Sequence, residues 1–473
     1  MRPNILVIMS DDQGPWAMSC AGTHELETPS LDRLAREGMM FRNCFCASPV
    51  CSPARATFLT GRMPSSHGVH DWLRLGNIDV EEGVTEIGRD RSREYLKGIE
   101  GFTDYLAEAG YICGLSGKWH LGASDTPQKG HQYWCAYALG GGEYCNYFMF
   151  DNDKSMTHQT RYVTDLITDR SLDFLDRYGG GPEPFCLSVH YTSPHSPWNR
   201  EEQPEEIWRM YENRVAISLP VQPAHPWGGW ETTAEERKRT IDGYFTAITA
   251  MDRNIARILD KLDEVGASEN TLVLFTSDNG FNVGHHGILG KGNGTFPLNM
   301  YEESVKVPFL ARYPGVVPEA VVIDSLVSHY DVLPTILDIV GIDSRDTSLP
   351  GRSLLPTLQG NPEGHDAVVV FDEYGPVRMI REQRWKYVHR YPKGPHELYD
   401  LDNDPVESIN LVGDPDAAND LERIKAKLEQ WFAEYVDPAM DGARLPVTGK
   451  GQIDYADSRN RGDAAFEQIK DGT

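Results

Sequence analysis

The chain has 473 residues, 40% of them hydrophobic and 25% charged, with a formal net charge of −26; this is the make-up of a soluble globular enzyme and excludes a disordered chain. Its length accommodates roughly two to four domains with a large buried core, and the excess of 71 acidic over 45 basic residues disfavours nucleic acid or an anionic membrane as partner. A small anionic substrate is not excluded, because screening over ~8 Å at physiological salt leaves only the local charge of a pocket to act at contact.

Met1-Arg2-Pro3-Asn4 leads into Ile5-Leu6-Val7-Ile8-Met9, which predicts a buried first strand over 4–9 ending at Ser10-Asp11-Asp12. That run is too short for a signal-peptide core, and no small-residue cleavage site follows it. No apolar run reaches the ~18–20 residues that span a bilayer. The expected location is cytoplasmic as written, or periplasmic or secreted if a leader has been removed. Thr28-Pro29 opens a helix with Leu31, Leu34 and Ala35 on one face and Gly38 as its stop. Phe102–Ala109 is a second helix, stopped by Gly110, and Phe185–Val189 another buried strand. The longest helical pattern, Gly243–Val265, carries Ile248, Met251, Ile255, Leu259 and Leu262 at helical spacing. Thr271–Thr276 follows as a β-branched core strand and delivers Asp278-Asn279-Gly280 at its C-terminal end, where open α/β sheets place ligands. Asp331–Val340 is a further helix. Past Asn361–His365 come the short strands Val368–Phe371, Val377–Ile380 and Trp385–Val388, then an amphipathic helix over Asp420–Tyr435. After Pro438 the chain is polar and reads as a wandering tail. The alternation predicts an α/β fold with a large, mainly parallel sheet flanked by helices over residues 1–362. A small antiparallel sheet plus helix is expected over 363–473.

Eight cysteines without a Cys-x-x-Cys pair do not make a disulfide scaffold. Cys20, Cys44, Cys46, Cys113, Cys135, Cys145 and Cys186 read as structural thiols. Cys51 stands apart, in Cys51-Ser52-Pro53-Ala54-Arg55 followed by Ala56-Thr57-Phe58-Leu59-Thr60-Gly61-Arg62. By residue type alone it is a cysteine on a turn into a helix, with Pro53 in the first helical turn. Asp11-Asp12 and Asp278-Asn279, taken singly, cap turns. Taken together, three carboxylates and an amide oxygen form an all-oxygen set that suits a hard cation, Ca²⁺ or Mg²⁺. Gly117-Lys118-Trp119-His120-Leu121-Gly122 can present Lys118 and His120 on one face of an extended segment. Pro194-His195-Ser196-Pro197 and Gly290-Lys291-Gly292 add a histidine and a lysine. Gly292 stands where a phosphate-binding loop needs Ser or Thr, which excludes that reading.

Across nearly the whole chain these segments resemble the type I, formylglycine-dependent sulfatases of the alkaline phosphatase-like superfamily. The resemblance implies an alkaline phosphatase-like fold and a sulfuric ester hydrolase. It also implies that a maturation enzyme oxidises Cys51 to formylglycine. Asp11, Asp12, Asp278 and Asn279 would ligate one Ca²⁺, with Mg²⁺ or Mn²⁺ as lesser alternatives and the modified Cys51 beside it. Arg55, Lys118 and Lys291 would stabilise charge on the sulfuryl group, His195 would protonate the leaving alkoxide, and His120 would contact the nucleophile. Arg378-Met379-Ile380-Arg381, Trp385-Lys386-Tyr387 and Glu397-Leu398-Tyr399-Asp400-Leu401 with Asp404-Pro405 resemble the small unit that closes many bacterial sulfatases. A further serine common in family sites has no evident position here.

Two other readings remain open. A phosphonate monoester or phosphodiester hydrolase of the same superfamily would usually have Asp-His where this chain has Asp278-Asn279. A non-catalytic protein that binds sulfated glycans would be expected to lack a charged site residue, and none is missing. Trp72, Arg74, Trp198, Trp227, Trp230, His285 and His286 fall in loops near the motifs and are candidates for holding a substrate, with a sulfated carbohydrate favoured over a small aryl sulfate. The sequence leaves the oligomeric state undetermined.

Overall fold

Five parallel strands form the middle of a ten-stranded sheet, and two of them carry the acidic motifs at their C-terminal ends. The computed structural model describes residues 2–78, 92–152, 155–372, 376–460, 462 and 464–468. In chain order the sheet strands are β1 (Asn4–Ser10), β2 (Met39–Phe41), β3 (Ile112–Lys118), β4 (His131–Tyr137), β5 (Tyr147–Phe150), β6 (Met156–Gln159), β7 (Phe185–His190), β8 (Thr271–Ser277), β9 (Phe309–Arg312) and β10 (Val321–Ile323). Across the sheet they run β10–β2–β9–β8–β1–β7–β3–β4–β5–β6. β8, β1, β7, β3 and β4 are parallel, and antiparallel pairings begin at β9 and β5.

β1 is a continuous apolar run because both its faces are covered, as in other parallel sheets. Ile5, Val7 and Met9 join one core with Phe58, Phe102 and Leu333. Leu6 and Ile8 join the other with Met251, Ile255 and Phe174. The first core holds the helices α2 (Cys51–Thr60), α3 (Phe102–Glu108) and α6 (Val332–Val340). The second holds α1 (Pro29–Arg36), α4 (Val163–Tyr178) and α5 (Ala234–Glu264).

α5 starts at Ala234, well before the apolar pattern that predicts it from Gly243. Its start is set by a capping box, in which the Glu236 amide donates to Thr233 Oγ1 at 3.1 Å and the Thr233 amide to Glu236 Oε2 at 3.0 Å. The early turns are polar and largely exposed, so they carry no apolar period. Strands β3 to β6 and α4 were not expected from the sequence. Gly114 and Gly117 weaken the strand pattern of β3, yet both are needed there. A Cβ on Gly117 would fall 1.9 Å from the His190 carbonyl oxygen, and one on Gly114 2.6 Å from the Phe174 ring.

A second, four-stranded antiparallel sheet contains β11 (Val368–Asp372), β12 (Val377–Arg381), β13 (Trp385–Arg390) and β14 (Glu397–Asp400). Its period-two alternation serves two partners. Val368 and Val370 pack with Phe45 and Val50 of the main body. Val369 and Phe371 pack with Ile424, Leu428 and Phe432 of α7 (Ala418–Tyr435). The sheet therefore buttresses Val50, the residue before Cys51.

The polar stretch after Pro438 does not wander. Gln452 pairs in parallel with Leu73, its amide donating to the Trp72 carbonyl at 2.8 Å and its side chain to the Gly68 carbonyl at 3.0 Å. Arg93 and Asp454 form an ion pair at 2.8 Å, and Phe466 is fully buried. Residues 469–473 lie outside the described residues. Among the described residues no helix is long and apolar enough to cross a membrane.

Candidate active site

Register brings the acidic motifs together. Ser10 of β1 pairs with Ser277 of β8, so the next residues, Asp11 and Asp278, leave the sheet side by side. The Asp12 amide donates to Asp278 Oδ1 at 3.2 Å, and Asp12 turns away with φ 64°. Asp11, Asp12 and Asp278 are all buried. One ligand atom from each, together with Cys51 Sγ, falls within 4.8 Å of the others.

Cys51 is the first residue of α2, where the helix N-terminus favours negative charge. Its Sγ lies 3.3 Å from Asp11 Oδ1 and 2.9 Å from Lys291 Nζ. Burial, then Asp11 and Asp278, raises the thiol well above its ordinary range. Burial thus favours the thiol over the thiolate at the encoded cysteine. Pro53, in the first turn, gives up an amide that a helix start leaves unpaired in any case.

The cations divide into two layers. Lys291 reaches Asp12 Oδ1 at 2.5 Å as well as Cys51. Burial alone would lower the Lys291 ammonium, but Asp12, Cys51, Asp11 and Asp278 hold it well above the ordinary lysine range, so it stays charged. Arg55, one turn into α2, sits deeper, with Nε and Nη2 both 3.0 Å from Asp278 Oδ2 and Nη1 donating to the Lys118 carbonyl at 3.0 Å. Lys118, fully buried, meets Asp11 Oδ2 at 2.5 Å. Burial would raise the Asp278 carboxyl, yet Arg55, Lys118 and Lys291 pull it below the ordinary carboxylate range. Burial and then Asp278 push Asp11 up, against the opposing pull of Lys118. Asn279 Nδ2 donates to Asp12 Oδ1 at 2.8 Å and its Oδ1 accepts from Lys291 at 3.4 Å. Three converging buried carboxylates with an amide oxygen at their edge fit a hard, oxygen-ligated cation.

Two histidines face this group from the other side. His195 Nδ1 lies 2.8 Å from the Ser196 carbonyl oxygen, and Nε2 lies 3.8 Å from Asp12 Oδ2. A carbonyl can only accept, so Nδ1 is the donor in this contact and Nε2 is the nitrogen turned toward Asp12. His120 follows the end of β3 with φ 52°, so it is not simply the next-but-one side chain of an extended segment after Lys118. Burial, then Lys118 and Arg55, holds its imidazole neutral, well below the ordinary range.

Cys51, His120, His195 and Lys291 line one cavity of about 960 Å³, while Arg55 and Lys118 lie behind it. The sulfatase family model matches residues 3–342, and the model described as N-sulphoglucosamine sulphohydrolase, C-terminal, matches residues 293–434. The chain belongs to the sulfatase family. It is a sulfuric ester hydrolase of alkaline phosphatase-like fold. The N-acetylglucosamine-6-O-sulfatase of Bacteroides thetaiotaomicron is 27% identical, covering 92% of this chain and 87% of that one. The choline-sulfatase of Rhizobium meliloti is 26% identical over 97% and 92% of the two chains. A solved structure with the substrate D-glucosamine-2-N,6-O-disulfate superposes with a TM-score of 0.77 at 24% identity, covering 94% of this sulfatase and all of that chain.

Of the candidate substrate-holding residues, Trp72 and Arg74 line the cavity, and the others are engaged elsewhere. Trp198 donates from Nε1 to the Pro194 carbonyl at 2.7 Å and packs on Tyr244 and Phe281. His285 packs on Trp16, and His286 stacks on Tyr301 while pairing with Glu303 at 3.0 Å. Trp227 lies against Arg390 and Trp230 against Arg237. The cavity also has walls that the sequence reading missed, namely Leu139-Gly140-Gly141 and the returning residues Gly449, Lys450, Glu467 and Gln468. Nothing in a Leu-Gly-Gly-Gly string or a polar C-terminal stretch marks either as part of a site.

Proposed function

We propose that this sulfatase hydrolyses a sulfate monoester of a carbohydrate, using a formylglycine made from Cys51 and a Ca²⁺ held by Asp11, Asp12, Asp278 and Asn279. The observation that carries this reading is the position of Cys51, set at a helix N-terminus between Lys291 and the carboxylates at the cavity floor. When present, the cation neutralises charge on the sulfuryl oxygens, and hydrated formylglycine supplies a hydroxyl nucleophile on a carbon able to release sulfate by C–O cleavage.

The chain's own residues do the remainder. Lys291 holds a full positive charge against the atom at position 51 and against any sulfuryl oxygen beside it. Arg55 and Lys118 act one step back, holding the Asp278 and Asp11 carboxylates in place. His195, protonated at Nε2, is the proton donor to the departing sugar oxygen. His120, neutral and buried, has a ring nitrogen, Nδ1, with no hydrogen-bond partner among the described residues, and it orients the nucleophile. The carbohydrate class is supported by the N-acetylglucosamine-6-O-sulfatase relative and by a cavity at the upper end of the usual ligand-site range.

The test joins mass spectrometry to kinetics. Active protein is expected to carry an aldehyde or its hydrate in the peptide containing position 51. It is also expected to turn over nitrophenyl sulfate and a sulfated sugar in preference to a phosphonate monoester. Fully active protein bearing only the thiol would overturn the nucleophile. Preferential cleavage of the phosphonate would replace the sulfatase reading with the phosphonate hydrolase one.

A further inference from the structure

The mouth of the cavity differs in charge from the rest of the molecule. In a chain of net charge −26, three basic side chains line this cavity, Arg74, Lys291 and Lys450, against one carboxylate, Glu467. Lys291 is committed to the floor. Arg74 and Lys450 are exposed at the rim. Arg74 Nη1 pairs with Glu467 Oε2 at 3.2 Å, which uses one end of a guanidinium that has five donors. The Lys450 ammonium has no hydrogen bond or ion pair among the described residues.

The rim is built from segments far apart in sequence and held firmly. Gly451 passes the extended Trp72–Arg74 segment so closely that a Cβ on it would fall 2.8 Å from Arg74 Cβ. The Arg74 amide donates to the Gln452 carbonyl at 3.0 Å, the Gly451 amide to Asp71 Oδ2 at 3.1 Å, and the Glu467 amide to the Gly451 carbonyl at 3.0 Å. These bonds set Arg74, Lys450 and Glu467 side by side above the reaction centre. The half-buried Trp72 indole is beside them in the same wall.

We propose that Arg74 and Lys450 form a subsite for a second anionic group on the substrate, a sulfate or carboxylate carried in addition to the scissile sulfate. The inference rests on the sulfatase reading and narrows its substrate class to polyanionic saccharides. Arg74 offers planar paired donors, which suit either oxyanion. Lys450 offers a mobile point charge. Glu467 holds Arg74 across the mouth in the absence of substrate and disfavours an anion placed anywhere but on the two cations. A substrate with a cationic substituent would meet repulsion at the same place.

The experiment compares kcat/KM on an N-acetylglucosamine O-sulfate, the same sugar with a second O-sulfate, and a disaccharide of the same sulfated sugar joined to a uronate. The wild type is expected to prefer one or both dianionic compounds, and which of them it prefers distinguishes sulfate from carboxylate. In Lys450→Ala the ratio of dianionic to monoanionic kcat/KM should fall about fivefold, and in Arg74→Ala/Lys450→Ala more than tenfold. Lys450→Arg should restore the ratio. Added salt should erode the wild-type ratio and leave that of the double variant flat. A wild type with no preference for a second anion, or variants that slow all three sugars by the same factor, would overturn the subsite. Failure of the underlying sulfatase reading would look different, as no turnover of any sulfate ester, nitrophenyl sulfate included, by protein bearing formylglycine.

Discussion

Nε2 of His120 fills the space that a side chain on Gly140 would need, since a Cβ built on Gly140 would fall 2.1 Å from that nitrogen. The same nitrogen lies 3.1 Å from the Leu73 carbonyl, so the ring is held between two backbones with no room to retreat. Gly141 stands in a milder version of this relation to His195, with its added Cβ 3.2 Å from Cε1. The glycine string is thus a template for both histidines.

Gly140→Ala should displace His120 by an ångström or more and lower kcat on the order of 100-fold, the usual cost of misplacing a group at the reaction centre. Thermal stability should change far less than activity. Gly413→Ala, where an added Cβ meets nothing within 4 Å, is the control and should behave as wild type. Wild-type kcat for Gly140→Ala would show that His120 does not need its observed position.

Asp278 stands at the end of a strand, a place that suggests a tolerant substitution, but its partner makes it otherwise. Arg55 is 2% exposed and two of its nitrogens lie on Asp278. Asp278→Ala leaves that guanidinium buried without its carboxylate partner, at a cost of about 3–5 kcal/mol. Denaturant unfolding should record this loss, and elemental analysis should find the divalent cation gone. Adding Arg55→Met should recover much of the stability without recovering activity. An Asp278→Ala variant as stable as wild type would mean that Arg55 finds another partner.

The legible parts of this molecule were those where one local rule decides the outcome. β1 and β8 announce themselves because strands covered on both faces must be apolar throughout, and the motifs at their ends needed only the parallel register to meet. The capping box of α5 is also a local signal, but it lies outside the apolar pattern that marks the helix. What could not be read depends on distant backbone. The tail is polar, and its order comes from Gln452 bonding to residues some 380 positions earlier. His285 and His286 lie close in sequence to Lys291, yet the left-handed turn at Gly284 and His286 carries them to Trp16 and Tyr301. Nearness to a motif in sequence was a poor guide to the cavity wall.

Asp71 ties the tail to the rim, and burial pushes its carboxyl up to about 7. Its oxygens accept from the Trp72 amide at 2.7 Å and the Gly451 amide at 3.1 Å, and no charged side chain contributes to the shift. Because the folded value lies above the ordinary 3.8, the folded state binds the proton more tightly than the unfolded chain. Its contribution to stability is full below about pH 4, declines as pH rises, and is lost above about pH 7. The shift corresponds to at most about 4 kcal/mol. Asp71→Asn should flatten this part of the stability profile, measured as unfolding midpoints of both proteins from pH 4 to 8. Parallel profiles for the two proteins would mean that Asp71 is ionised throughout.

The last expectation concerns His195 and turns on the leaving group. With Nδ1 committed to the Ser196 carbonyl, the acidic proton can only sit on Nε2, the nitrogen that faces Asp12 and the cavity floor. A sugar alkoxide leaves badly without a proton, whereas a nitrophenolate scarcely needs one. General acid catalysis contributes ~10²–10⁴-fold. His195→Ala should therefore lose roughly that factor on a sulfated sugar and much less on nitrophenyl sulfate. Lys291 Nζ lies 2.9 Å from Cys51 Sγ, the proposed nucleophile position, so Lys291→Ala should slow both substrates comparably. The contrast between the two variants separates proton donation from charge stabilisation on the same pair of substrates. Equal losses on both substrates for His195→Ala would make this histidine a sulfate-binding residue, and the proton would then have to come from another group lining the cavity.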